Sequence, residues 1–231
     1  MSERNTAEGD AAGTRVKICG LRRPDDARAA VRAGADAVGV VFAESPRRAT
    51  PEEAAAVAGA AREEAARLGR EVEVWGVFVN ESAERIAELA RSVPLDVAQL
   101  HGDETEDVAR ALLPLRAVKA VRVRGPEALP EIERLAAQGA FEAVLLDAYD
   151  ERARGGTGKT VDWGVAYDAA RSARVVLAGG LTPANVAEAV RKVRPWMVDA
   201  SSGVERSPGE KDPEAIEAFV RFAKDALASR G

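Results

Sequence analysis

The chain has 231 residues, 46% of them apolar and 31% charged, with 38 acidic against 33 basic side chains and a net charge of −5. That length suits one domain, and the acidic balance gives no reason to expect a nucleic-acid partner. A single cysteine excludes an intrachain disulfide and fits a reducing, cytoplasmic setting, and no apolar run reaches the roughly 18–20 residues of a membrane span.

The polar stretch 1–14, with Glu3, Glu8 and Asp10, lacks the basic start and apolar core of a secretory signal and reads as a disordered leader. From Arg15 onward, short Val/Ile/Leu-rich runs alternate with longer Ala/Glu/Arg-rich segments of helical spacing. The runs cover 15–19, 37–42, 72–79, 97–100, 117–123, 143–147, 175–178 and 197–199. Continuous apolar runs of this length suit parallel strands covered on both faces. Helix starts are marked at Arg23-Pro24-Asp25-Asp26, at Thr50-Pro51-Glu52-Glu53 and at Thr182-Pro183-Ala184, and Gly34 reads as a helix stop. Eight strands alternating with helices predict a single-domain (β/α)8 TIM barrel over 15–231. The competing layout is an open doubly wound sheet, but no GxGxxG follows the first strand and no linker divides the chain.

Barrel chemistry sits at the C-terminal ends of the strands. The only cysteine, Cys19, and the only histidine, His101, both fall there, with Asp147, Arg47 in the loop after the second strand, and several glycine turns. Cys19 follows Lys17 by two residues, so both share a strand face, and a neighbouring cation draws a thiol toward working pH. A lone cysteine is nevertheless more often an inert core residue. Asp147 closes an apolar run; a carboxyl there needs a partner or a raised pKa, as a general acid does, or else it caps a helix or pairs with Arg152 or Arg154. His101 is free to orient a substrate or to serve structure alone. The turns Ala178-Gly179-Gly180-Leu181 and Ser201-Ser202-Gly203 follow the last two strands, where barrels frequently bind phosphate through backbone N–H groups. Segment 148–160, with Gly155-Gly156-Thr157-Gly158-Lys159, has the composition of a mobile lid. No HExxH, CxxC or carboxylate cluster has ligand spacing, so no metal is expected.

Read together and in order, Val16-Lys17-Ile18-Cys19-Gly20, Gly76-Val77-Phe78-Val79-Asn80, Gln99-Leu100-His101-Gly102, Leu145-Leu146-Asp147, Ala178-Gly179-Gly180-Leu181 and Val198-Asp199-Ala200-Ser201-Ser202-Gly203-Val204-Glu205 resemble the phosphoribosylanthranilate isomerases over about residues 15 to 228. The resemblance implies an Amadori rearrangement of N-(5-phosphoribosyl)anthranilate in tryptophan biosynthesis, with Cys19 as general base and Asp147 as general acid. It implies that Arg47, which follows Ser45-Pro46, grips the anthranilate carboxylate. It places Lys17, Gln99, His101, Gly179, Gly180, Asp199, Ser201, Ser202 and Gly203 among the substrate-binding residues. It requires no cofactor, and its only ligand is a small phosphorylated substrate, taken by a monomer or a homodimer. The competing readings are a histidine-pathway phosphoribosyl isomerase, whose known members carry Asp where this chain has Cys19, and a non-catalytic barrel that binds a phosphorylated ligand.

Overall fold

The computed structural model describes residues 13–148 and 160–227. Most of the leader and most of the expected lid lie outside the described residues, as do Arg152 and Arg154. Eight parallel strands close a barrel in sequence order: β1 (Arg15–Ile18), β2 (Ala37–Val41), β3 (Glu73–Phe78), β4 (Val97–Leu100), β5 (Arg116–Val123), β6 (Ala143–Ala148), β7 (Val175–Leu177) and β8 (Met197–Ala200). β8 returns to β1 in register, Lys17 opposite Asp199. The outer layer is α1 (Pro24–Ala33), α2 (Pro51–Arg67), α3 (Ala83–Ser92), α4 (Glu106–Ala111), α5 (Leu129–Ala137), α6 (Trp163–Ala170), α7 (Val186–Val193) and α8 (Pro213–Asp225). Among the described residues no helix is long and apolar enough to cross a membrane.

The strands form where expected because both of their faces are buried. One face packs outward on the helices through Val16, Ile18, Val38, Val40, Val74, Ala98, Leu146 and Val198. The other fills the barrel with Ala37, Trp75, Val97, Val118, Leu145, Val176 and Met197. With so few aromatics in the chain, fully buried Trp75 is the main plug of that interior. α2 starts on the expected cap: the Glu53 N–H donates to the Thr50 hydroxyl at 3.2 Å, and the Thr50 N–H to the Glu53 carboxylate at 2.9 Å. α1 ends at Gly34, in a left-handed conformation.

One local expectation is corrected, and one element is unforeseen. α7 starts at Val186, not at Thr182-Pro183, because Asn185 ties the preceding turn together. Its amide accepts from the Thr182 N–H at 2.8 Å and donates to the Gly180 carbonyl at 3.0 Å. An unexpected hairpin, β9 (Glu205–Ser207) with β10 (Glu210–Lys211), follows the eighth strand.

The N-terminal mouth of the barrel is closed by charge. Glu73 accepts from Arg15 and from Arg116, each at 3.0 Å; Arg116 reaches Glu142 at 3.1 Å, and Glu142 lies 3.7 Å from Arg174. Arg15 and Arg174 then stack on Trp196, 5.0 and 5.1 Å from its ring centroid. Burial alone would raise the Glu73 pKa, but Trp75, Arg15 and Arg116 together hold it below the ordinary 4.5. Its stabilising contribution is therefore present above about pH 4.5 and lost as the pH falls through the lowered value. Glu73→Gln should cost about 1–2 kcal/mol and lower the thermal midpoint at pH 7. The difference should shrink toward pH 3, with turnover unchanged because this face lies opposite the chemistry.

Candidate active site

Strand alternation decides which side chains meet at the C-terminal mouth. Lys17, Gln99 and Asp199 form an inward-facing layer above Trp75, with the Lys17 ammonium 5.1 Å from that ring. One layer higher stand Cys19, Val41, Val77, His101, Arg122 and Asp147, which with Arg47 and the late glycine turns line one cavity of about 320 Å³. A small phosphorylated aromatic fits a cavity of that size. Gly39 makes room for Cys19: a Cβ there would stand 2.8 Å from the Cys19 sulfur and 3.1 Å from Lys17 Cε.

Lys17 is fully buried and charged. Its ammonium donates to Asp199 Oδ2 and to Gln99 Oε1, both at 3.0 Å. Burial pulls its pKa down, yet Asp199 and the thiol beside it together raise it. Cys19 responds in the opposite way to the expectation from its neighbour. Burial pushes the thiol up, Lys17 and Lys211 pull it down, and burial prevails, so the free protein holds a neutral thiol. The sequence reading counted the nearby cation and missed the desolvation.

Arg47 is held from behind. Its Nε and Nη2 both donate to the Glu205 carboxylate at 2.8 Å, and Lys211 donates to the same carboxylate at 2.7 Å. Burial raises the Glu205 pKa, but the hydrogen bonds from Arg47 and Lys211 outweigh it and leave a carboxylate. Arg47 Nη1 takes no part in that pair, and Arg47 lines the cavity, whereas Arg48 is exposed and does not. Sequence reasoning missed Lys211, which belongs to the unforeseen hairpin, and Arg122, which inward alternation along β5 would have found.

Asp147 is the last inward residue of β6. Its Oδ1 accepts from the Ala148 N–H at 2.9 Å, and its Oδ2 lies 3.3 Å from His101 Nε2. The turn that carries His101 is pinned by Glu104, which accepts from the N–H of Asn80 at 2.6 Å and of Gly102 at 2.9 Å, with Lys119 against the same carboxylate.

The two late glycine turns form one cradle. Gly179 and Gly180 have φ of 76° and 63°, a backbone conformation that disfavours side chains. A Cβ on Gly203 would stand 1.9 Å from the Leu181 carbonyl oxygen, so the second turn packs directly on the first. Every residue expected at the site stands at this mouth. Lys17 and Gln99 are set deepest, and both spend their polar atoms on protein partners.

The family profile described as N-(5'phosphoribosyl)anthranilate (PRA) isomerase matches residues 16–222. The chain belongs to the phosphoribosylanthranilate isomerase family. An N-(5'-phosphoribosyl)anthranilate isomerase of Trichlorobacter lovleyi is 48% identical over 215 residues, 92% of this chain and 99% of that protein. The phosphoribosyl anthranilate isomerase of Thermotoga maritima superposes with a TM-score of 0.79 at 39% identity, over 91% of this chain and 98% of that one. A family structure in complex with reduced 1-(o-carboxyphenylamino)-1-deoxyribulose 5-phosphate superposes with a TM-score of 0.76 at 37% identity, over 91% and 98% of the two chains. The open-sheet alternative is thereby set aside.

Proposed function

We propose that the chain isomerises N-(5-phosphoribosyl)anthranilate to 1-(2-carboxyphenylamino)-1-deoxyribulose 5-phosphate in tryptophan biosynthesis, with Asp147 as acid and Cys19 as base. The carrying observation is that Cys19 and Asp147 line one cavity with a half-free arginine and a glycine cradle. Strand order sets the polarity. Arg47 follows β2, the cradle follows β7 and β8, and Cys19 on β1 stands between them. The anthranilate carboxylate goes to Arg47, its ring to the apolar wall of Val41, Ala43 and Val77, and the phosphate to the backbone of Gly179, Gly180, Ser202 and Gly203, beside Ser201. Asp199 Oδ1 is buried with no hydrogen-bond partner among the described residues, and a ribosyl hydroxyl would supply one.

Asp147 protonates the furanose ring oxygen while the anthranilate nitrogen lone pair opens the ring, leaving an iminium. Cys19 first gives up its thiol proton to solvent in the substrate complex; the thiolate then takes the proton from ribose C2, and the electron pair moves to give an enolamine. Proton shifts at C1 and at the C2 hydroxyl then yield the ketone, and no atom is gained or lost. The barrel from 15 to 231 is the working unit, with 1–14 outside it. One chain supplies every named group, so the site suits a monomer or a homodimer; a Thermotoga maritima relative is described as dimeric. A cytoplasmic location completes the proposal.

The test is steady-state turnover of freshly generated phosphoribosylanthranilate by the purified chain, followed as loss of anthranilate fluorescence in the presence of chelator. Saturable turnover supports the proposal. No turnover, with binding of the substrate intact, contradicts it and directs the assay to the histidine-pathway ribonucleotide.

A further inference from the structure

We infer that Gln99 locks the tautomer of His101, so that a neutral imidazole donates a hydrogen bond to the Asp147 carboxylate as that group gives up its proton. The inference deepens the reading of Asp147 as general acid and rests on it for its catalytic part, though not for the tautomer itself.

The line of hydrogen bonds starts at its buried end. The Lys17 ammonium can only donate, and it lies 3.0 Å from one end of the Gln99 amide; that end is therefore the oxygen. The opposite end, NH2, also only donates, and it lies 3.0 Å from His101 Nδ1. A proton on Nδ1 would set two donors against each other. Nδ1 is therefore bare, the imidazole is neutral, and its single proton sits on Nε2. Nε2 faces Asp147 Oδ2 at 3.3 Å, while Oδ1 takes the Ala148 N–H at 2.9 Å. Each oxygen of the acid thus meets one fixed N–H.

Two such donors face the negative charge that forms on Asp147. They strengthen as Asp147 transfers its proton, which is when the reaction benefits. A distance of 3.3 Å is long for this bond, and such bonds tighten in the productive complex. Gln99 is buried, both ends of its amide are committed, and Asp199 anchors Lys17 from the other side. His101 is in this account a positioning residue that never gives up its own proton, and Gln99 acts through it.

The chain contains one histidine, so an untagged protein labelled with ¹⁵N at histidine gives an imidazole spectrum that needs no assignment. At pH 7.5 the wild type should show the neutral Nε2–H tautomer alone, and Gln99→Leu should shift it toward a mixture with the Nδ1–H form. An Nδ1–H or cationic ring in the wild type, or an unchanged tautomer in Gln99→Leu, overturns the lock. In turnover, His101→Gln keeps an N–H close to where Nε2 lies, and His101→Asn does not. The asparagine variant should lose about 10–100-fold in kcat with KM nearly unchanged, and the glutamine variant should stay within about fivefold of wild type. Equal losses in the two variants, or none in either, overturn the donor role. Asp147→Asn separates this inference from its premise: if that variant turns over normally, the acid assignment fails and takes the donor role with it. If it is inactive while His101→Asn is normal, only the donor role fails.

Discussion

Cys19→Ala should lower kcat/KM by about 10²–10⁴-fold, the range for loss of one positioned proton-transfer group. The fold should survive, because the change removes a single buried sulfur above an otherwise intact barrel core. Cys19→Ser is the sharper version. It keeps the shape of the side chain and its place beside Lys17, yet a hydroxyl is far too weak an acid to supply an alkoxide beside a buried lysine. It should be nearly as slow as alanine. The raised thiol pKa adds a check in the free wild-type protein: iodoacetamide should modify Cys19 slowly at pH 7, with a rate that climbs with pH to a midpoint above the ordinary 9.0. A serine enzyme retaining more than about a tenth of wild-type turnover, set against that 10²–10⁴-fold range, would remove Cys19 from the chemistry.

Asp147→Asn should also cost about 10²–10⁴-fold, and the loss should fall on kcat. The amide is the same size as the carboxyl and still accepts the Ala148 N–H through its oxygen, so the cavity keeps its shape. Neither proposed clamp on the substrate is touched: Arg47 remains on Glu205, and the glycine cradle remains packed through Gly203. KM should therefore stay within a few-fold of wild type. A variant that loses affinity and keeps kcat would make Asp147 a binding group and would require another acid.

The barrel was legible because each strand is buried on two faces and so appears as an uninterrupted apolar run. All eight lie within about a residue of their expected ends. β9 and β10 were not legible. They are three- and two-residue segments, Glu205–Ser207 and Glu210–Lys211, with neither alternation nor an apolar run. Lys211, buried behind Arg47, was invisible for the same reason, since nothing local distinguishes it from a solvated lysine. Arg122 was legible but passed over. The period of two that places Val118 and Ala120 inside the barrel also places Arg122 at its mouth. The direction of the Cys19 shift and the line from Lys17 through Gln99 and His101 to Asp147 depend on burial and on contacts among β1, β4 and β6, which no local pattern carries.

The proposed mechanism depends on the polarity of the substrate between two clamps, with base and acid placed along it. The most direct measurement is a crystal structure of this chain with reduced 1-(o-carboxyphenylamino)-1-deoxyribulose 5-phosphate. The expected result is the carboxylate on Arg47 Nη1, the phosphate in the turns at Gly180 and Gly203, and ribose C2 about 3.5 Å from the Cys19 sulfur. A phosphate on Arg47, or a C2 carbon on the far side of the cavity from Cys19, would contradict it.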